Sequence, residues 1–109
     1  MLEKLFGSKN SEKVLLYIAG RKEGYAREIA EYYKTSLSPV QNQLDKLEDA
    51  SVLVSKLAGK TRIYSFNPRY AFGKELINLL EKAITFLPKN EQDSLLKPRK
   101  RPRRKGKPL

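Results

Sequence analysis

Residues 36–66 read SLSPVQNQLDKLEDASVLVSKLAGKTRIYSF, and this stretch decides the fold. Val40, Leu44 and Leu47 recur at helical spacing, which predicts a helix with one apolar face turned toward a core. Ser36 stands just before them, where its side chain can accept a hydrogen bond from the first turn and cap the helix. We therefore predict that the stretch opens with a short amphipathic helix.

The face of this helix that points away from the core is polar. Side chains of this kind can offer hydrogen-bond donors and acceptors to base edges, and the amides of Gln41 and Asn42 can pair bidentately with adenine. Ser38, Gln43 and Lys46 are expected at the groove edge or on phosphates. The predicted reading face, within residues 36–49, consists of Ser38, Gln41, Asn42, Gln43, Asp45 and Lys46.

A β-hairpin is predicted directly after the helix. Val52-Leu53-Val54 and residues 62–66 are apolar-rich segments that flank Ala58-Gly59-Lys60, and a glycine between two such segments is typical of a hairpin turn. Lys60 and Arg62 make its tip basic. A polar-faced helix followed by a basic hairpin indicates a recognition helix with its wing.

Two further helices precede this stretch. Residues 11–20 carry an apolar stripe, with Ser11 as the expected N-cap and Gly20 as the expected end or part of a weakened last turn, and residues 27–34 form a second, shorter pattern. Only about three residues then separate the second helix from the third, which predicts a helix-turn-helix. An ordinary helical hairpin with no ligand is the alternative. Arg27, at the start of the second helix, is expected to touch a nucleic-acid backbone.

The segment over residues 71–87 predicts a long amphipathic helix with two apolar series side by side. One series can dock on the small domain and leave the other for a second copy of the chain. The alternative is a single wide stripe that covers the core. The predicted dimerisation residues are Phe72, Leu76, Leu79, Leu80, Ala83, Ile84 and Leu87.

The net charge of +11 is concentrated at one end of the 109-residue chain. Residues 97–109 hold eight of the 23 Lys and Arg and no acid, which leaves fifteen basic against twelve acidic residues elsewhere, or +3. We expect this proline-broken tail to be disordered when free and to bind a polyanion, as a sequence-blind phosphate clamp or as a weak AT-hook-like minor-groove segment. Its candidate DNA contacts are Arg99, Lys100, Arg101, Arg103, Arg104, Lys105 and Lys107.

Several classes of function are disfavoured by composition. The chain has neither cysteine nor histidine, which argues against disulfides, cysteine–zinc sites and imidazole catalysis, so no metal, cofactor or enzymatic activity is predicted. No run of eighteen apolar residues and no secretory signal is visible, so no membrane contact is predicted. We expect a cytoplasmic, nucleoid-associated protein.

Taken in order, these segments resemble winged helix-turn-helix transcriptional regulators of the ArsR/MarR type, found in bacteria and archaea. The resemblance implies a homodimer that binds double-stranded DNA. One departure is Ser51, where such regulators usually have glycine, so a differently shaped turn is expected there. The absence of Cys and His means that metal sensing is not carried over. The resemblance lies in residues 26–30 (AREIA), 38–40 (SPV), 44–48 (LDKLE), 52–54 (VLV) and 59–64 (GKTRIY).

The expected fold class is mainly α with a small β-hairpin (α+β), a winged helix-turn-helix with a long C-terminal helix and a disordered basic tail. The expected function is a sequence-selective DNA-binding regulator, with Arg27 on the DNA backbone and with Lys60 and Arg62 of the wing on a phosphate or in an adjacent minor groove. An architectural, chromatin-like protein, a protein-interaction module and an RNA- or ribosome-associated protein are the alternatives. The expected divisions are residues 1–10 (N-terminal extension), 11–66 (winged domain), 67–88 (dimerisation helix) and 89–109 (linker and basic tail).

Overall fold

The computed structural model describes residues 1–96, and the predicted α+β winged helix-turn-helix architecture is confirmed there. Within that range no helix is both long enough and apolar enough to cross a membrane. The elements are α1 (Glu3–Phe6), α2 (Lys9–Arg21), α3 (Ala26–Tyr33), α4 (Leu37–Asp49), β1 (Leu53–Ala58), β2 (Thr61–Phe66), α5 (Gly73–Ile84) and α6 (Lys89–Leu96). The candidate tail contacts Arg99, Lys100, Arg101, Arg103, Arg104, Lys105 and Lys107 lie outside the described residues.

Helix α2 forms the centre of the hydrophobic core. Its side chains Val14, Leu15 and Ile18 are at most 2% exposed, and the helix packs against α4, α5 and α6. Leu44 of α4 and Leu80 of α5 are fully buried in the same cluster. Burial of a side chain of this size stabilises the fold by about 1.5–3 kcal/mol. The helix-turn-helix and the C-terminal helices therefore share one core.

The N-terminal end of α2 differs from the prediction. Ser8, not Ser11, is the N-cap, and its side chain accepts a hydrogen bond of 3.0 Å from the amide of Ser11. Ser11 is buried inside the helix, and its hydroxyl donates to Oε1 of Gln43. The helix ends at Arg21, so Gly20 lies in its last turn. A Cβ on Gly20 would lie 2.9 Å from the carbonyl oxygen of Leu95, so this glycine permits close packing against α6.

Residues 89–96, which the sequence analysis grouped with the linker and tail, form α6 and pack on α2. Leu95 is 2% exposed. The guanidinium of Arg21 donates two hydrogen bonds, of 3.0 and 3.2 Å, to the carbonyl oxygen of Ser94. This helix is therefore part of the folded body.

Helix α4 ends in the left-handed turn that serine was expected to avoid. Ser51 has a φ of 67°, and its amide donates to the carbonyl of Glu48 at 2.9 Å, while the amide of Val52 donates to the carbonyl of Leu47 at 2.9 Å. This pair of bonds is the Schellman motif. Nδ2 of Asn67 also donates to the carbonyl of Ser51 at 2.9 Å. The prediction of a differently shaped turn is wrong, because these bonds hold Ser51 in the conformation that glycine usually adopts.

The predicted hairpin is present as β1 and β2. The strands pair antiparallel from Leu53 opposite Phe66 to a two-residue turn that begins with Gly59 at a φ of 66°. A first turn residue with positive φ is the place where type II′ turns use glycine. Gly24 adds a short third segment to the sheet, because it exchanges two backbone hydrogen bonds, of 2.8 and 3.0 Å, with Tyr64.

Helix α5 is shorter than the predicted helix over residues 71–87. The amides of Thr85, Phe86 and Leu87 each donate, at 3.0 Å, to a carbonyl three residues earlier. Bonds of this spacing tighten the chain into 3₁₀-type turns after the α-helix has ended.

Candidate nucleic-acid interface

Helices α3 and α4 form the predicted helix-turn-helix. Lys34 has a left-handed φ of 56° and the amide of Thr35 donates to the carbonyl of Ala30 at 3.0 Å, so the chain turns sharply after α3. Val40 and Leu44 are at most 1% exposed and fix one face of α4 in the core. The remaining face of α4 is thereby directed outward.

The outward face of α4 is polar and open. Ser36 occupies the N-cap position with an extended backbone, but its side chain makes no capping hydrogen bond, so the predicted side-chain cap is absent. A shallow depression follows the helix on this face, and its charge is mixed because two aspartates flank one lysine. Its lining residues are Ser38, Pro39, Asn42, Gln43, Asp45, Lys46 and Asp49.

Gln41 connects α4 to the sheet. Its Nε2 donates to Oδ1 of Asp45 at 3.0 Å and to the hydroxyl of Tyr64 at 3.1 Å. Both amide hydrogens are therefore engaged within the chain, whereas bidentate pairing with adenine needs one of them. Burial raises the pKa of Tyr64 above its ordinary value, with the bond from Gln41 acting in the opposite direction. Gln41 braces the recognition helix against the wing, and Asn42 is the amide left open.

A second connection runs from the wing to α4. Oγ of Ser55 donates to Oε2 of Glu48 at 2.6 Å, and Nη1 of Arg62 donates to Oγ of Ser55 at 3.0 Å. Ser55 is the cross-strand partner of Tyr64, and Gln41 and Glu48 are seven residues apart on one side of α4. Two bonds between the same pair of surfaces fix the orientation of the wing relative to the helix.

The predicted backbone contacts meet in one groove. Arg27 at the first turn of α3 and Lys60 and Arg62 on the hairpin line it together with Gln41. All three cationic residues are exposed. Cations that converge beside an open helix face can hold the phosphates of a nucleic acid. The full lining is Tyr25, Ala26, Arg27, Leu37, Gln41, Lys60, Thr61 and Arg62.

Comparison with solved structures supports the fold. YusO from Bacillus subtilis matches with a TM-score of 0.57 and 21% identity, over 84% of this chain and 71% of YusO. A double mutant of ZitR from Lactococcus lactis matches with a TM-score of 0.54 and 19% identity, over 81% and 67% of the two chains. A MepR-like protein complexed with pseudoligands matches with a TM-score of 0.56 and 16% identity, over 87% and 75%. The chain has a winged helix-turn-helix fold.

The predicted resemblance to regulators of the ArsR/MarR type is thereby confirmed for the fold. No family model and no curated protein matches the sequence.

The winged helix-turn-helix also exposes two leucines that the sequence analysis did not select. Leu37, the first residue of α4, is 43% exposed and lines the basic groove, and Leu57 near the wing tip is 62% exposed. Leu37 lies three residues before Val40, a spacing that also fits the core stripe, so periodicity alone does not mark it as exposed. An apolar side chain at this place can contact the methyl group of thymine.

The predicted dimerisation residues divide into three groups by burial. Phe72 precedes α5, Leu87 follows it, and the others lie within it. Leu80, Ala83 and Ile84 are at most 5% exposed inside the core of their own chain, so they offer no surface to a partner. Phe72 and Leu79 are exposed by 66% and 38%. Leu76 and Leu87 are half-buried against the core. Phe86 also belongs to one of the two apolar series, and it is exposed by 71%.

Proposed function

We propose that this winged helix-turn-helix protein is a dimeric transcriptional regulator that binds double-stranded DNA, with α4 in the major groove. The convergence of Arg27, Lys60 and Arg62 beside the open face of α4 carries this proposal. Cationic side chains on two separate elements then hold the DNA backbone beside a helix that meets base edges.

Asn42 is the proposed base reader. Asn42 is exposed on α4, and an asparagine amide pairs bidentately with N6 and N7 of adenine. Ser38 and Lys46 flank it in the same depression. Asp45 and Asp49 repel phosphates, which restricts this face to base edges and favours a cytosine amino group as a donor to a carboxylate.

Gln41 and Gln43 are proposed to act indirectly. The Gln41 amide is bonded to Tyr64, and Oε1 of Gln43 accepts from Ser11. Side chains held in this way keep α4 in register with the wing and with α2, so they position the reading residue.

The proposed phosphate contacts come from the groove and the tail. Each phosphate that Arg27, Lys60 or Arg62 neutralises adds about 0.9 to the slope of log affinity against log salt concentration. Residues 97–109 carry eight more cations and no acid. These contacts raise the affinity for every sequence, whereas Asn42 selects among sequences.

Fluorescence anisotropy on a selected and a random duplex, at several salt concentrations, tests these roles. Asn42→Ala is expected to lower the preference for the selected site by about 1–3 kcal/mol and to leave the salt slope unchanged. Arg62→Ala is expected to weaken binding to both duplexes and to flatten the slope by about 0.9. Deletion of residues 97–109 is expected to act in the same direction with a larger change in slope.

Lys74→Ala is the matched control, because Lys74 is an exposed lysine on α5, away from the groove. Equal losses for Lys74→Ala and Arg62→Ala would show that only total charge matters and would reject the assigned groove. No binding of either duplex at low salt would reject DNA as the partner. The exposed Leu37 and Leu57 and the mixed charge of the α4 depression then favour a protein partner as the second candidate.

A further inference from the structure

Leu37 exposes an apolar side chain on the recognition helix, in a groove whose charged groups are cations. It is the first residue of α4, is 43% exposed, and lines the groove together with Arg27, Lys60 and Arg62. Within residues 1–96 it belongs neither to the buried core nor to the side chains packed against that core. Single exposed leucines are common on protein surfaces, so the position of Leu37 matters more than its exposure.

The position of Leu37 is one where recognition helices meet bases. In helix-turn-helix proteins the N-terminal residues of the recognition helix contact base edges in the major groove. Gln41 lies one turn later, lines the same groove, and has both amide hydrogens bonded, to Asp45 and to Tyr64. Leu37 is therefore the side chain on this side of α4 that can approach a base without breaking a bond inside the chain.

The chemistry of leucine restricts what this side chain can contact on DNA. The oxygens, ring nitrogens and amino groups of base edges need a hydrogen-bond partner, which leucine does not supply, and phosphates pair with the cations. The C5-methyl group of thymine is the apolar feature that a base pair presents in the major groove. A leucine beside three cations is thus suited to a thymine close to the phosphates that those cations neutralise.

We propose that Leu37 gives specificity for thymine by packing on its C5-methyl group in the major groove. This contact rests on the proposed function and deepens it, because it adds an apolar reader to the amide of Asn42. The two side chains are five residues apart, which is about 7.5 Å along α4, or about two base-pair steps. The thymine and the adenine are therefore expected at different base pairs of the site.

Exchange of thymine for deoxyuridine tests the contact, because it removes the methyl group and keeps every hydrogen-bonding group of the base. The full chain is first used to enrich a duplex from a random pool. Each thymine of this duplex is then exchanged in turn, and binding is followed by fluorescence anisotropy. At least one exchange is expected to weaken binding of the unmodified protein by about fourfold, the effect of one buried methylene-sized group. Leu37→Ala is expected to bind both forms of that duplex equally.

Leu57→Ala is the matched control, because Leu57 is an exposed leucine on the hairpin rather than on α4. It is expected to keep the fourfold difference between thymine and deoxyuridine. Any effect of deoxyuridine on DNA shape is common to all proteins that bind the duplex, so the comparison with Leu37→Ala removes it. Circular dichroism is expected to show that both variants remain folded, since both leucines lie outside the core of residues 1–96.

Addition of a methyl group gives the converse measurement. At the position identified by the exchange, the T·A pair is replaced by C·G, with either cytosine or 5-methylcytosine. The methylated duplex is expected to bind the unmodified protein about fourfold more tightly than the unmethylated one. Leu37→Ala is expected to bind the two duplexes equally.

The outcomes separate the thymine contact from DNA binding itself. Tolerance of deoxyuridine at every position by the unmodified protein would overturn the contact and leave DNA binding intact. An equal loss for the unmodified protein and for Leu37→Ala would assign the methyl group to another residue and would also overturn it. Failure of the full chain to bind any duplex at low salt would instead reject the proposed function, and the thymine contact with it.

Discussion

Helices α4 and α5 bury one face each in the same core, but their outward faces differ in kind. Leu44 of α4 and Leu80 of α5 are both 0% exposed. Outward, α4 presents polar groups, two of which, Gln41 and Glu48, are hydrogen-bonded to the hairpin. The outward side of α5 presents Leu79, and Phe72 just before the helix and Phe86 just after it are exposed as well.

The difference indicates two kinds of partner. Hydrogen bonds are directional, so a polar face is selective only when its side chains are held in place, and the hairpin holds those of α4. Apolar contact is not directional and scales with the area removed from water, so the exposed apolar side chains in and beside α5 need a partner of matching shape. In the proposed function, α4 meets the nucleic acid and the second copy of the chain is the apolar partner.

The largest expected effect separates the inward from the outward face of α5. Leu80→Ala removes a fully buried side chain and is expected to lower the free energy of unfolding by about 2–5 kcal/mol. Leu79→Ala, one residue earlier, is expected to cost less than about 1 kcal/mol at low protein concentration, with a loss that grows as dimerisation sets in. Urea unfolding followed by circular dichroism at two protein concentrations measures both. Equal losses at low concentration would erase the distinction between the two faces.

The sequence predicted the elements whose signals are local. Val40 and Leu44 at helical spacing located α4 and its buried face, and Gly59 between two apolar segments located the hairpin turn. The three predicted backbone cations, Arg27, Lys60 and Arg62, lie in one groove, although they come from separate elements. Local spacing was sufficient here because short connections leave little freedom in how these elements meet.

The sequence could not predict contacts that depend on the tertiary arrangement. The two apolar series of α5 have the same spacing, and only packing against α2 shows that Leu80 and Ile84 are the buried pair. The bond from Gln41 to Tyr64 joins residues 23 positions apart, so an open amide and a bracing amide look identical in the sequence. Ser8 and Ser11 are both acceptable N-caps, and the burial of Ser11 decides between them.

A smaller effect concerns two tyrosine hydroxyls, one bonded to α4 and one without a partner in the described residues 1–96. Tyr64→Phe removes the acceptor for Gln41 and is expected to lower the free energy of unfolding by about 1 kcal/mol. The hydroxyl of Tyr33 is buried and has no hydrogen-bond partner within residues 1–96, so Tyr33→Phe is expected to raise stability by a similar amount. Thermal unfolding of both variants measures the difference. The same sign of change for both would mean that the bond between Gln41 and Tyr64 does not stabilise the fold.

The same tyrosines predict how stability depends on alkaline pH. Burial raises the pKa of Tyr33 and of Tyr64 above the ordinary value near 10. The folded state therefore keeps these protons where the unfolded chain releases them, so stability is fully present below about pH 10 and falls as the pH rises further. Tyr33→Phe removes one of the two groups and is expected to flatten this decline. A decline of unchanged steepness in urea titrations between pH 9 and 11 would show that Tyr33 does not contribute to it.

The smallest expected effect comes from the C-terminal ends of the two helices. The chain leaves α4 through Ser51, two residues after the helix, with a φ of 67°, whereas it leaves α5 through Thr85 in the right-handed region with a φ of −67°. Left-handed backbone favours glycine, so Ser51→Gly is expected to raise stability by about 1 kcal/mol or less, provided the Schellman bonds remain.

Thr85→Gly is the matched control at the other helix end. Glycine gains nothing at a right-handed position, and the change removes the bond of 2.6 Å from Oγ1 of Thr85 to the carbonyl of Lys82, so a loss of about 1 kcal/mol is expected. For a domain of this size the two variants should shift the melting temperature by a few degrees in opposite directions. If Ser51→Gly also lowers it, the hydrogen bonds around Ser51, including the one from Asn67, compensate for the left-handed backbone completely, and α4 ends without strain.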